Sequence, residues 1–176
     1  MNEAVTKRFL LYFRLMLLVW ILIVNSILHV VGFAYSWLIF LSNITLFTME
    51  GDIKDRFVSV ELGGLVGMVF TVIALLAITF LTPVLGSFFG FLIPLAVVLF
   101  VLIILHPYAP KVLNNVGFAY LTVACIDAET FAANLPLFFA TYILGSLAFN
   151  GVCMLLMKPA KALAVKSVQR TQSETA

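Results

Sequence analysis

No aspartate, glutamate, lysine or arginine occurs between Glu61 and Lys111, and that charge-free stretch decides the solvent for which the chain is built. About 20 apolar residues suffice for a helix to cross the hydrocarbon core of a bilayer. The stretch therefore has room for two crossings, with Thr82-Pro83 and Gly86 marking a tight turn between them. The rest of the chain agrees: 64% of its 176 residues are hydrophobic, only 10% are charged, and the mean hydropathy is +1.18. A soluble domain carries about 25% charged residues. The strict alternation of a porin-type strand is absent, so the expected fold class is an all-α polytopic membrane protein.

Six apolar segments can be placed: Phe9–Val31, Phe33–Met49, Leu62–Leu81, Val84–Leu105, Val112–Ile126 and Leu135–Met157. The polar stretch Glu50–Glu61 separates the second from the third, and His106-Pro107-Tyr108-Ala109-Pro110 ends the fourth. The second and fifth segments fall short of a standard crossing length. Lys7, Arg8 and Arg14 resemble the positive start of a secretory signal. The apolar run that follows is too long for one, and no Ala-x-Ala-like site succeeds it, so the first span is read as retained. Lysine and arginine mark the cytoplasmic side of short loops. With the N-terminus inside and six crossings, Lys7, Arg8, Arg14, Lys54, Arg56, Lys111, Lys158, Lys161, Lys166 and Arg170 all fall inside, and they are all ten of the basic residues. The expectation is a multi-pass protein of the bacterial inner membrane with both termini in the cytoplasm.

The pentapeptide Val-Gly-Phe-Ala-Tyr occurs twice, at Val31–Tyr35 and Val116–Tyr120. Aligning the copies also brings Leu28 onto Leu113 and Thr45 onto Thr130. After a small deletion, Leu62-Gly63 falls on Leu144-Gly145. Internal self-similarity of this kind signals duplicated architecture. An odd number of spans in each half turns the second copy upside down, which gives two inverted three-helix repeats. The expected divisions are a cytoplasmic N-terminus (1–8), repeat 1 (9–81), repeat 2 (82–157) and a basic cytoplasmic tail (158–176). In transporters built this way the site lies between the repeats, at short or interrupted helices. The expected substrate-binding residues are accordingly Gly32, Phe33, Tyr35, Ser36, Asn43, Thr45, Gly117, Phe118, Tyr120 and Thr122.

Ionisable residues within membrane segments are functional candidates by default. His29, whose repeat partner is Asn114, and Glu61, at the inner end of the third span, are the expected proton-coupling residues. For Glu61 the competing expectation is a solvated loop ion pair with Arg56 or Lys54. Asp127 and Glu129 suit either a cation-attracting outer mouth or two ordinary loop acids. Small residues at Gly63-x-x-x-Gly67, at Gly86-x-x-x-Gly90 and around Gly145, Ser146, Ala148 and Gly151 permit close helix approach. Packing within the subunit is the expected use, with a homo-oligomer face as the alternative. Cys125 and Cys153 are expected to be small buried hydrophobes. Trp37 is expected to pack rather than line a cavity.

His29 and His106 lie at opposite faces and cannot hold a metal together, so no metal and no cofactor is expected. The hydrolase, metalloprotease, phosphate-loop and Cys-x-x-Cys templates are missing, which argues against an enzyme. No basic patch beyond the membrane-flanking cations supports nucleic-acid binding. The tail spaces its cations among Leu163, Val165 and Val168 and is expected to form a short interfacial helix, with disorder from there to Ala176.

The segments Tyr35-Ser36-Trp37-Leu38-Ile39, Gly51-Asp52-Ile53-Lys54 and Glu61-Leu62-Gly63-Gly64-Leu65-Val66-Gly67 carry a resemblance. From about Val31 to Met157 the chain resembles the domain-of-unknown-function 1097 family (DUF1097) of small bacterial inner-membrane proteins. More remotely it is similar to the membrane half of fusaric-acid-resistance and aromatic-acid exporters. The first resemblance implies two related halves and no established substrate. The second implies organic-anion efflux, although the large soluble domain of those exporters is missing here. Together these readings describe a small-solute transporter or channel whose partners are the bilayer, a small organic anion or polar solute, and copies of itself. The alternative is a non-transporting scaffold or accessory subunit packed through its glycine seams.

Overall fold

The computed structural model describes residues 2–174, and every regular element among them is helical. They are α1 (Glu3–Val30), α2 (Trp37–Thr48), α3 (Ile53–Ile104), a 3-10 turn (His106–Tyr108), α4 (Asn115–Ile126), α5 (Ala128–Ala133), α6 (Leu135–Ala140), a π-helical turn (Thr141–Ser146) and α7 (Leu147–Glu174). Three helical stretches are long and apolar enough to cross a membrane: Glu3–Val30, Ile53–Ile104 and Leu135–Ser173. The protein is thus an all-helical chain with the make-up of a membrane protein.

The 52-residue α3 is not one rod. Gly86 leaves helical geometry at φ 77° and ψ 167°, a region in which a side chain is strained. A Cβ on Gly90 would lie 2.5 Å from the Thr82 Cα. Eight residues along a straight helix span about 12 Å, so the chain doubles back at Gly86. The limbs 53–85 and 87–104 form an antiparallel hairpin. Ala74 and Val98, placed symmetrically about the turn, share one core cluster with Leu102 and Leu121 of α4. Gly86 thus makes the expected turn, while Thr82 and Pro83, expected to share it, stay helical.

Contacts divide the chain into two compact units, residues 1–36 with 148–176 and residues 37–147, and each draws on both halves of the sequence. In the first, Trp20 of α1 stacks on Phe149 of α7 at 5.7 Å. An apolar groove of about 400 Å³ runs between Leu15, Met16, Val19 and Ile23 on one side and Leu156 and Pro159 on the other. In the second, α3 and α4 form the densest seam. A Cβ on Gly67 would meet the Gly117 carbonyl oxygen at 2.1 Å, so backbone lies on backbone there and no larger residue fits.

Several boundaries differ from the sequence expectation. The stretch expected as a loop, Glu50–Glu61, is helical from Ile53, because the Asp52 side chain accepts from the Lys54 N–H at 3.0 Å and caps α3. Glu61 is therefore a helix residue, not a loop acid. The second segment becomes helical only at Trp37. The sixth carries a π-helical turn at Thr141–Ser146. The tail is no separate element: α7 runs through Pro159 to Glu174, which replaces the expected disorder, and residues 175 and 176 lie outside those described. Cys153 is buried, but Cys125 is exposed on α4, contrary to expectation.

Candidate functional site

Within the unit 37–147 two polar regions stand out. The first is a cleft of about 670 Å³ whose lining includes Thr45 and Thr48 of α2, Ser59 of α3, and Asn114 and Asn115 at the start of α4. Glu50, His106 and Lys111 add charge and hydrogen-bonding capacity at its edge. Lys111 is held by Asp55 at 2.6 Å, and the His106 ring bonds the Leu113 carbonyl. Asn114 builds one wall. Its Oδ1 accepts from the N–H groups of Val116 and Gly117 at 3.0 and 3.2 Å, while its Nδ2 donates to the Ser59 carbonyl at 2.9 Å. One side chain therefore caps α4 and ties it to α3.

The second region is buried. Tyr142, in the π-helical turn, donates to the Val60 carbonyl at 2.7 Å and reaches the Glu61 carbonyl at 3.2 Å. Ser146, one turn on, lies 2.5 Å from Glu61 Oε2 and 2.5 Å from the Tyr142 carbonyl oxygen. Tyr120 packs edge-on against Tyr142 with centroids 4.7 Å apart and donates to the Leu38 carbonyl of α2. Trp37 closes the aromatic cluster, 6.1 Å from both Tyr120 and Phe138, and so packs as expected. A Cβ on Gly64 would meet the Tyr142 hydroxyl at 2.2 Å, so a residue without a side chain is what lets Tyr142 reach α3. π-Helical turns occur disproportionately at functional sites.

The residues singled out in sequence are distributed as follows. Asn43, Thr45, Glu61, Gly117, Phe118, Tyr120 and Thr122 share the unit 37–147. Thr45 lines the polar cleft, and its hydroxyl donates to the Leu41 and Ser42 carbonyls. Asn43 and Tyr120 are buried, and Gly117 is spent on the α3–α4 seam. Phe118 and Thr122 face a separate apolar cleft of about 410 Å³, together with Cys125. His29, Gly32, Phe33, Tyr35 and Ser36 belong to the other unit. There Phe33 and Tyr35 meet edge to face at 5.9 Å, and His29 is exposed in the last turn of α1. Asp127 caps α5 through the Thr130 N–H, an ordinary structural use of a loop acid.

Ser146 and Tyr142 were not singled out as site residues. Tyr142 carries no sequence signal of its own, since an aromatic in an apolar run reads as core. Ser146 stood inside a small-residue stretch whose expected use was packing. Among the described residues no group of histidine, cysteine, aspartate and glutamate is placed to hold a metal ion. No protein-family model, curated protein or solved structure matches the chain.

Proposed function

We propose that the protein is a small-solute transporter or channel of the bacterial inner membrane, with six crossings and both termini in the cytoplasm. One observation carries the reading: the polar cleft of about 670 Å³ is bordered by both short helices, α2 and α4. At 12 residues each these helices span about 18 Å, well under the roughly 30 Å of hydrocarbon. Interrupted helices at a polar cleft are where secondary transporters bind their cargo. A small organic anion or polar solute suits the threonine and asparagine lining and Lys111. His29 and Glu61 are the candidates for proton coupling.

The two halves are read as inverted repeats, in keeping with the resemblance to the DUF1097 family. The Tyr142–Val60 bond supports this, because it spans 82 residues and so joins positions that are equivalents in the register placing Leu62-Gly63 on Leu144-Gly145. Residues at a two-fold axis touch their own equivalents.

The purified protein, screened for thermal stabilisation against small organic acids, amines and amides, tests the reading, because a ligand of the folded state raises apparent stability. A stabilising solute should also cross proteoliposome membranes only when the protein is present, and Thr45→Val or Asn115→Leu should weaken both effects. Absence of any stabilisation and any flux across the panel sinks it. The second reading, a scaffold or accessory subunit, is favoured by a different observation. The α3–α4 seam is closed at backbone contact, and the glycine of the second pentapeptide serves packing.

A further inference from the structure

Ser146 has one hydroxyl proton and two acceptors within reach of it. Its Oγ lies 2.5 Å from the Tyr142 carbonyl oxygen and 2.5 Å from Glu61 Oε2. A serine within a helix ordinarily donates back to the carbonyl four residues earlier, which here is that of Tyr142. The second contact then needs a proton from the other side. A 2.5 Å separation alone also fits a hydroxyl donating to a carboxylate. In that case the Tyr142 contact is left as two oxygens facing each other with nothing between them. A carboxylic acid satisfies both contacts at once, because its O–H donates to Ser146 Oγ and the Ser146 O–H donates to the Tyr142 carbonyl.

We infer that Glu61 is a proton-binding site, protonated in this conformation and held so by Ser146. The inference rests on the transport reading and deepens it by naming the proton as the ion that Glu61 exchanges. No covalent or redox step is involved. Loss of the proton leaves a carboxylate, the Ser146 hydroxyl turns to donate to it, and the Tyr142 carbonyl gives up that bond. Because Tyr142 also donates to the Val60 and Glu61 carbonyls, the π-helical turn is clamped to α3 at both side chains. Proton release therefore removes a bond inside the π-helical turn, between Ser146 and the Tyr142 carbonyl, while both ties to α3 remain.

The phenols of Tyr120 on α4 and Tyr142 on the π-helical turn both interact electrostatically with Glu61. From α2, Ser42 approaches the Tyr120 hydroxyl and does not titrate. Arg56, on Glu61's own helix, directs its Nη1 to the Leu46 and Met49 carbonyls at 3.2 and 3.0 Å.

Infrared difference spectroscopy on the full chain in lipid, wild type against Glu61→Gln, reads this proton directly. At neutral pH a carboxylic-acid carbonyl band should be present in the wild type and lost in Glu61→Gln. Ser146→Ala, which removes the acceptor, should shift the band to higher frequency. Should Glu61→Gln fail to fold, the Ser146→Ala shift and the disappearance of the band as the wild type is titrated alkaline serve in its place. A wild type with only carboxylate bands at neutral pH, or a band that neither substitution moves, overturns the inference. The band and the flux are independent readouts. A band without flux keeps the proton site and removes transport, whereas flux without the band keeps transport and removes the site.

Discussion

The same five residues, Val-Gly-Phe-Ala-Tyr, end a helix at Val31–Tyr35 and begin one at Val116–Tyr120. In the first copy Gly32 adopts φ 68° just past α1. Its N–H returns to the His29 carbonyl and the Phe33 N–H to the Leu28 carbonyl, at 3.0 and 2.9 Å. That pair of bonds is a Schellman stop. In the second copy the preceding Asn114 caps α4, so the pentapeptide is helical, and Gly117 lies against Gly67. What differs is the neighbour on the N-terminal side: an apolar helix that has run its length, or an asparagine that starts a new one. Identical peptides therefore do not imply identical structure, because caps and packing partners supply the deciding free energy.

The strongest way to break this contrast is at the seam. Gly67→Val should destabilise the folded protein by about 3 kcal/mol, since backbone rather than a movable side chain blocks the new atoms. Thermal unfolding in detergent measures it, and an unchanged transition would mean that the seam is looser than described. Next come the positions that alignment of the copies pairs. Asn114→Ala loses a cap worth about 1 kcal/mol and a buried cross-helix bond worth about 1 more. His29→Ala, by contrast, should cost under about 0.5 kcal/mol, because the side chain is exposed and only its carbonyl closes the turn.

A smaller effect is expected at the first copy's glycine. Nothing lies within 4 Å of a Cβ built on Gly32, so Gly32→Ala meets only the backbone strain of positive φ, about 1 kcal/mol. If it proves as harmful as Gly67→Val, the two copies are more alike than their conformations indicate. The gentlest test leaves stability untouched. A small membrane-permeant maleimide should label the exposed Cys125, in the apolar cleft beside α4, in the folded protein, and Cys153 only after unfolding.

Much of the helical layout was legible because its causes are local. The hairpin could be read from Thr82, Pro83 and Gly86, the stop after Leu105 from His106-Pro107, and the short α2 and α4 from the lengths of their apolar runs. Glu61 was legible as a candidate because a charge beside a long apolar run is conspicuous. Its partners were not. Ser146 and Glu61 stand 85 residues apart, and although the repeat aligns their neighbours Leu62-Gly63 and Leu144-Gly145, it does not say that the two side chains touch. The helical start at Ile53 was also missed, since the density of charge over residues 50–61 reads as a loop until Asp52 is recognised as a cap.

The sequence by itself determined the solvent, the helical class and the places where the chain turns. Those depend on the hydropathy of runs and on cap and turn residues, each of which acts over one or two helical turns. Tertiary structure alone decided which glycines became a seam and that Ser146 and Tyr142 meet Glu61. A close approach of two backbones and a hydrogen bond between two side chains are properties of pairs distant in sequence. Only packing chooses which pairs meet.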